Sequence, residues 1–150
     1  MKRLLGIAFW ILLIPFKLEA FPCYVTAAKD NCWLNYDVTI TVTNMVTQAV
    51  VTKVLIPKGQ TWARGEFTCQ PNQTFLYTAS FLPVIWQNDA GKTYRGLKSW
   101  GLPIAFDPKA VAWELKLCYA ADFSETPLPP EVEGHCQCDF TKATPITQTK

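Results

Sequence analysis

The chain has 150 residues and a formal charge of +2, from 14 basic and 12 acidic side chains. Without Lys2, Arg3, Lys17 and Glu19, all in the first 20 residues, eleven of each sign remain, and no Lys/Arg run survives. A formally neutral remainder of about 130 residues excludes the basic patch by which a domain holds nucleic acid or an anionic membrane, and it is long enough for one cored domain.

Lys2 and Arg3 form a short positive start, and Leu4 to Phe16 is an uncharged apolar run of thirteen residues. Lys17-Leu18-Glu19-Ala20 follows, with a small residue before the expected cut. This is the layout of a secretory signal peptide over residues 1–20. A membrane-spanning helix needs about 20 apolar residues, so the run is too short to anchor the chain, and no transmembrane segment is expected after cleavage. Lipid attachment would need a cysteine directly at the cut, whereas Cys23 comes two residues late, after Pro22. The expected location is therefore extracytoplasmic: secreted, or periplasmic in a bacterium.

Five tryptophans remain after residue 20, and the chain has sixteen threonines against three serines, a bias toward half-buried strands. From Tyr36 to Thr43 the alternation is strict, with Tyr36, Val38, Ile40 and Val42 on one face and Asp37, Thr39, Thr41 and Thr43 on the other. Val46 to Ile56 reads as the next strand, stopped by Pro57-Lys58-Gly59. Thr61–Cys69 and Thr74–Phe81 follow, separated by the turn Gln70-Pro71-Asn72-Gln73, which contains the N-glycosylation pattern Asn72-Gln73-Thr74. Pro83 breaks the next run, and residues 87–92 form a hairpin-type loop leading into Thr93-Tyr94-Arg95.

Asp107-Pro108 is a helix-start signal, but Trp113, Leu115, Leu117 and Tyr119 alternate with Glu114, Lys116 and Cys118 and predict a strand. The Pro-rich stretch 126–130 reads as a stiff linker, and residues 141–150 as a disordered polar tail. The expected architecture is one all-β domain over residues 21–140: an antiparallel β-sandwich, immunoglobulin-like or similar, stabilised by disulfides and ending in a short flexible tail. The immunoglobulin analogy is one of pattern and transfers no function.

Cys23, Cys32, Cys69, Cys118, Cys136 and Cys138 are an even set in an exported chain, which predicts three disulfides. A strand-to-strand Cys69–Cys118 bond is expected, with Cys23 and Cys32 pairing with Cys136 and Cys138 in either order. A direct Cys136–Cys138 ring would be strained by its one-residue spacer. His135-Cys136-Gln137-Cys138 also has the donor types of a zinc or copper(I) site, but an oxidising compartment consumes the thiols, so neither metal nor cofactor is expected.

His135 is the only histidine, and Ser80, Ser99 and Ser124 lack a nucleophile-elbow context. Asp89, Glu66, Glu114 and Asp122 are the carboxylates available to a hydrolase. The sequence thus favours a non-enzymatic interaction protein with a protein partner, such as an envelope-assembly accessory, a secreted factor or an enzyme inhibitor. A carbohydrate-binding module using exposed aromatics is one alternative, and a carboxylate-dependent hydrolase is another. The binding segment is placed at Trp86 to Trp100, where the loop tip 88–91, which includes Asp89, is flanked by Trp86, Tyr94, Arg95 and Trp100, with Trp, Tyr and Arg common in recognition surfaces.

Overall fold

A computed structural model describes residues 21–147. The expected leader over residues 1–20 and the last three residues of the expected tail lie outside the described residues. Eight strands follow in order: β1 (Phe21–Lys29), β2 (Asp37–Asn44), β3 (Val50–Ile56), β4 (Trp62–Cys69), β5 (Thr74–Leu82), β6 (Tyr94–Arg95), β7 (Trp100–Gly101) and β8 (Trp113–Tyr119). Within the ambiguous 107–119 region, residues 113–119 form strand β8, as the period-two pattern predicts, and residues 107–112 are turns and irregular chain.

The strands form two packed sheets, a sandwich-like all-β fold. One has the order β4-β1-β8; in the other β3-β2-β5-β6 are neighbours, and β7 also pairs with β5. The second sheet is antiparallel throughout. In the first, β1 runs antiparallel to β4 but parallel to β8, so the expectation of a purely antiparallel sandwich is corrected there. The parallel pair follows from chain path: about eighty residues separate β1 from β8, ample length for the crossover that parallel strands require.

Side-chain alternation builds the core. Tyr36, Val38, Ile40 and Val42 are all buried, as are Phe75, Tyr77, Ala79 and Phe81 on β5. They face Cys23, Val25 and Ala27 of β1, Phe67 of β4 and Leu117 and Tyr119 of β8. Where β4 passes across β3, residue 65 is glycine; a Cβ there would lie 2.8 Å from both Thr52 Oγ1 and Val54 Cγ2, so the bare backbone allows that approach.

The disulfides are Cys23–Cys69, Cys32–Cys136 and Cys118–Cys138. The expected Cys69–Cys118 bond is thus incorrect, and Cys23 does not pair with the C-terminal cysteines. The reason lies in register: Cys23 pairs with Phe67 and Phe21 with Cys69, so Cys23 and Cys69 are diagonal neighbours on one face of adjacent strands, 5.9 Å apart at Cα. The other two bonds fasten the C-terminal segment to the turn after β1 and to the end of β8. Beyond Cys138, residues through Thr147 lie on the outer face of the first sheet, where Arg64 Nη2 donates to the Thr144 carbonyl at 2.6 Å.

Candidate functional site

The site begins where β5 stops. Its last residues, Ser80 to Leu82, are followed by Pro83, which has no N–H to continue a ladder. The chain leaves the sheet through Val84 and Trp86, makes a 3-10 turn at Gln87–Asp89, and reverses at Gly91, whose φ of +78° suits glycine. It returns as β6, with Tyr94 opposite Ala79 and Arg95 opposite Thr78. Backbone bonds stiffen the excursion: Asp89 N–H donates to the Trp86 carbonyl and Lys92 N–H to the Asp89 carbonyl, both at 3.0 Å.

Between this loop and the end of β5 lies a cavity of about 190 Å³, lined chiefly by Phe81, Leu82, Val84, Asp89, Lys92 and Tyr94. Its back wall is the Tyr94 ring, stacked on Phe81 at 5.7 Å with 15° between planes. Lys92 Nζ lies 5.4 Å from the centroid of that ring and 3.9 Å from Asp89 Oδ1. Tyr94 is buried and its hydroxyl has no hydrogen-bond partner. Burial first, and the nearby Asp89 carboxylate second, push this phenol above its ordinary pKa. Leu82 in the lining is 62% exposed, and Trp86, on the same loop but outside the lining, is 52% exposed.

Of the residues singled out in the sequence, Asp89 and Tyr94 line the cavity, and Trp86 stands on the same loop. Arg95 is an exposed strand position whose carbonyl accepts from Ser124 N–H at 2.8 Å. Trp100 is placed elsewhere. It pairs with Phe75, four residues from the Ala79–Tyr94 pair along β5, and is half-buried against Phe75 and Phe67 as part of the core. Tyr94, expected at an exposed position, is a buried wall rather than a rim residue.

The candidate carboxylates are dispersed. Asp89 faces Lys92, Glu114 meets Arg64 at 3.3 Å, and Asp122 Oδ2 accepts from Cys118 N–H at 2.6 Å. Glu66 lies beside Tyr24, whose phenol is raised by desolvation first and then by that carboxylate. Cys136 and Cys138 are both held in disulfides, so neither sulfur is a free thiolate in this form. Asp30, Cys32 and Cys136 do cluster, but the last two are bonded to each other, which leaves one carboxylate and no ligand set.

A second polar assembly, absent from the sequence expectations, covers the outer face of the first sheet. Arg64 Nε donates to Thr26 Oγ1 at 2.7 Å, and Thr26 Oγ1 donates to Glu114 Oε1 at 2.5 Å. The same guanidinium lies 5.4 Å from the Trp62 ring centroid and 6.0 Å from that of Tyr24. Two cavities of about 370 and 360 Å³ flank the C-terminal segment on this face. Its readable signal was the alternation of Trp62, Arg64 and Glu66 with Ala63, Gly65 and Phe67 along β4.

The chain matches no protein-family model, and no curated protein or solved structure matches it. What the fold defines is a structural class: an all-β sandwich with three disulfides, a bonding pattern that fits an oxidising, extracytoplasmic compartment. Among the described residues no helix is long and apolar enough to cross a membrane.

Proposed function

We propose that the chain is an exported, non-enzymatic binding protein that holds another protein at the β5–β6 loop. Its slot takes one apolar side chain of the partner, and Trp86 and Leu82 form the contact around it. The observation that carries this reading is the pairing of two large, half-exposed apolar side chains with a small apolar cavity beside them. Scale selects the partner class. Small-molecule and cofactor pockets run to roughly 300–1,000 Å³, whereas a dry cavity of about 150 Å³ holds a benzene-sized group. A slot of about 190 Å³ suits a single leucine- or phenylalanine-sized side chain. Asp89 and Lys92 supply a polar rim of mixed charge, the usual surround of a recognition hot spot.

A carbohydrate reading draws support from the larger cavities near Tyr24 and Trp62. It is the weaker one, because the Arg64 guanidinium already lies over both rings, which a sugar would need for stacking.

The test separates fold from recognition. Trp86→Ala is expected to keep stability within about 1 kcal/mol, as a solvent-facing position should, while abolishing capture of the partner from an extracytoplasmic extract. Leu82→Asp should do the same. A loss of roughly 3–5 kcal/mol in Trp86→Ala would mark that ring as core and refute the assignment.

A further inference from the structure

The loops at the end of the sandwich opposite the slot carry no charged side chain at their tips. β5 runs from Thr74 to Leu82, so its two ends lie about 26 Å apart at strand rise. At the Thr74 end three loops meet: the β2–β3 turn, the β4–β5 turn and the segment after β7. Backbone bonds lace them together, from Met45 N–H to the Thr74 carbonyl, from Leu102 N–H to the Gln73 carbonyl, and from Asn72 N–H to the Pro103 carbonyl, each at 2.8 Å. Residues 44–52, 69–74 and 99–106 contain no Asp, Glu, Lys or Arg. On this surface Val46 is 85% exposed, Ile104 84%, Val50 54% and Met45 49%. Four apolar side chains therefore stand in water at the tips of hydrogen-bonded loops, an arrangement that costs solvation and marks an interaction surface.

Beneath the tip of the last loop lies an aromatic collar. Phe21 packs on Phe106 and on Trp113 at 4.7 Å, and Phe106 stacks on Trp113 at 5.1 Å. Phe21, the first described residue, pairs with Cys69, one residue from the β4–β5 turn, which places this collar at the same end of the sandwich.

We propose that this end, with its uncharged loop tips, is a lipid-contacting surface, inserting Val46, Ile104 and Met45 into the interfacial zone of a bilayer. Two observations select lipid. The loop tips are apolar, and the first charged residues that follow on the β7–β8 segment, Asp107 and Lys109, come only after Phe106. Trp and Phe rings lie behind them, where aromatic residues favour the membrane–water boundary. The orientation leaves the slot of the β5–β6 loop facing away from the lipid, and the proposal does not depend on that slot's occupant.

The exported chain, purified with its three disulfides intact and its N-terminus checked by intact mass, is mixed with sucrose-loaded phosphatidylcholine vesicles and sedimented. Parallel samples contain phosphatidylglycerol, at low and at high salt. The chain is expected to pellet with both lipids, with little dependence on salt. The double variant Val46→Asp/Ile104→Asp, altered at two solvent-facing positions that leave melting unchanged, should partition at least about tenfold less, because apolar area drives such binding. Leu82→Asp, at the far end, should bind as wild type. The proposal is overturned by no lipid-dependent pelleting at millimolar lipid, by equal binding of the double variant, or by binding that needs phosphatidylglycerol and vanishes in salt.

Discussion

Lys29 is 1% exposed, and its ammonium donates to the carbonyls of Tyr36 at 2.5 Å, Pro57 at 2.8 Å and Ile56 at 3.5 Å. It thereby ties the start of β2 to the end of β3. Burial lowers its pKa to about 8, with Asp37 opposing. The unfolded chain, with this group near 10.5, therefore binds more protons than the folded one between about pH 8 and 10.5, and stability gained from this site rises with pH across that window. Tyr24, Tyr36, Tyr77, Tyr94 and Tyr119 are all raised, chiefly by burial, so they act oppositely above about pH 10, where the unfolded phenols ionise first. Urea titrations should show stability climbing from pH 8 and turning over above about 10. Lys29→Met should lose the climb, keep the fall, and cost roughly 2–4 kcal/mol at neutral pH through its stranded carbonyls. A flat difference between the two proteins from pH 7 to 10 would contradict this. Tyr119 gives a second check: it is fully buried and its hydroxyl has no partner, so Tyr119→Phe should be neutral or about 1 kcal/mol more stable by thermal unfolding. None of this was readable from residue types, because a lysine inside a domain becomes visible only when three carbonyls converge on it.

At the scale of elements, β2 was legible because one face is buried and the other is not, and the period survives in Tyr36, Val38, Ile40 and Val42. β1 was not. It is the central strand of its sheet and is covered on both faces: Val25 and Ala27 point into the core, while Thr26 and Ala28, at 0% exposed, lie on the face that the C-terminal segment crosses. A strand buried on both sides shows no alternation. Three disulfides and the Cys32–Cys136 bond agree with the sequence reading, but Cys69–Cys118 failed for a related reason, since register between β1 and β4 decides that Cys23 meets Cys69, and register was unavailable without β1. The observed pairing transfers the largest entropic effect to Cys32–Cys136, which spans 104 residues against 20 for Cys118–Cys138. Loop-closure entropy assigns the longer bond about 4–5 kcal/mol and the shorter about 3. Cys32→Ala/Cys136→Ala should accordingly lower the denaturation midpoint more than Cys118→Ala/Cys138→Ala. The reverse ranking would show that local packing of the C-terminal segment, not chain entropy, dominates.

For the whole molecule, the slot and the uncharged loop tips are products of the same β5 strand. Pro83 releases the chain at one end into the Trp86 loop, and the laced turns at the other present Val46 and Ile104. The sequence singled out the β5–β6 loop through its turn chemistry and Trp86, but it grouped Trp100 with that loop, because proximity in sequence conceals that β6 and β7 pair with different stretches of β5. The outer face around Arg64 was missed because its members come from β1, β4 and β8, which only the folded sheet brings together.

The measurement that bears most directly on the proposed function is site-specific photocrosslinking in the native host, with p-benzoylphenylalanine placed at position 86 and, separately, at Lys116 on the outer face of the first sheet. A discrete protein adduct is expected from position 86, lost when Leu82→Asp is added, with none from position 116. Adducts from position 116 and none from position 86 would contradict the slot as the site of recognition.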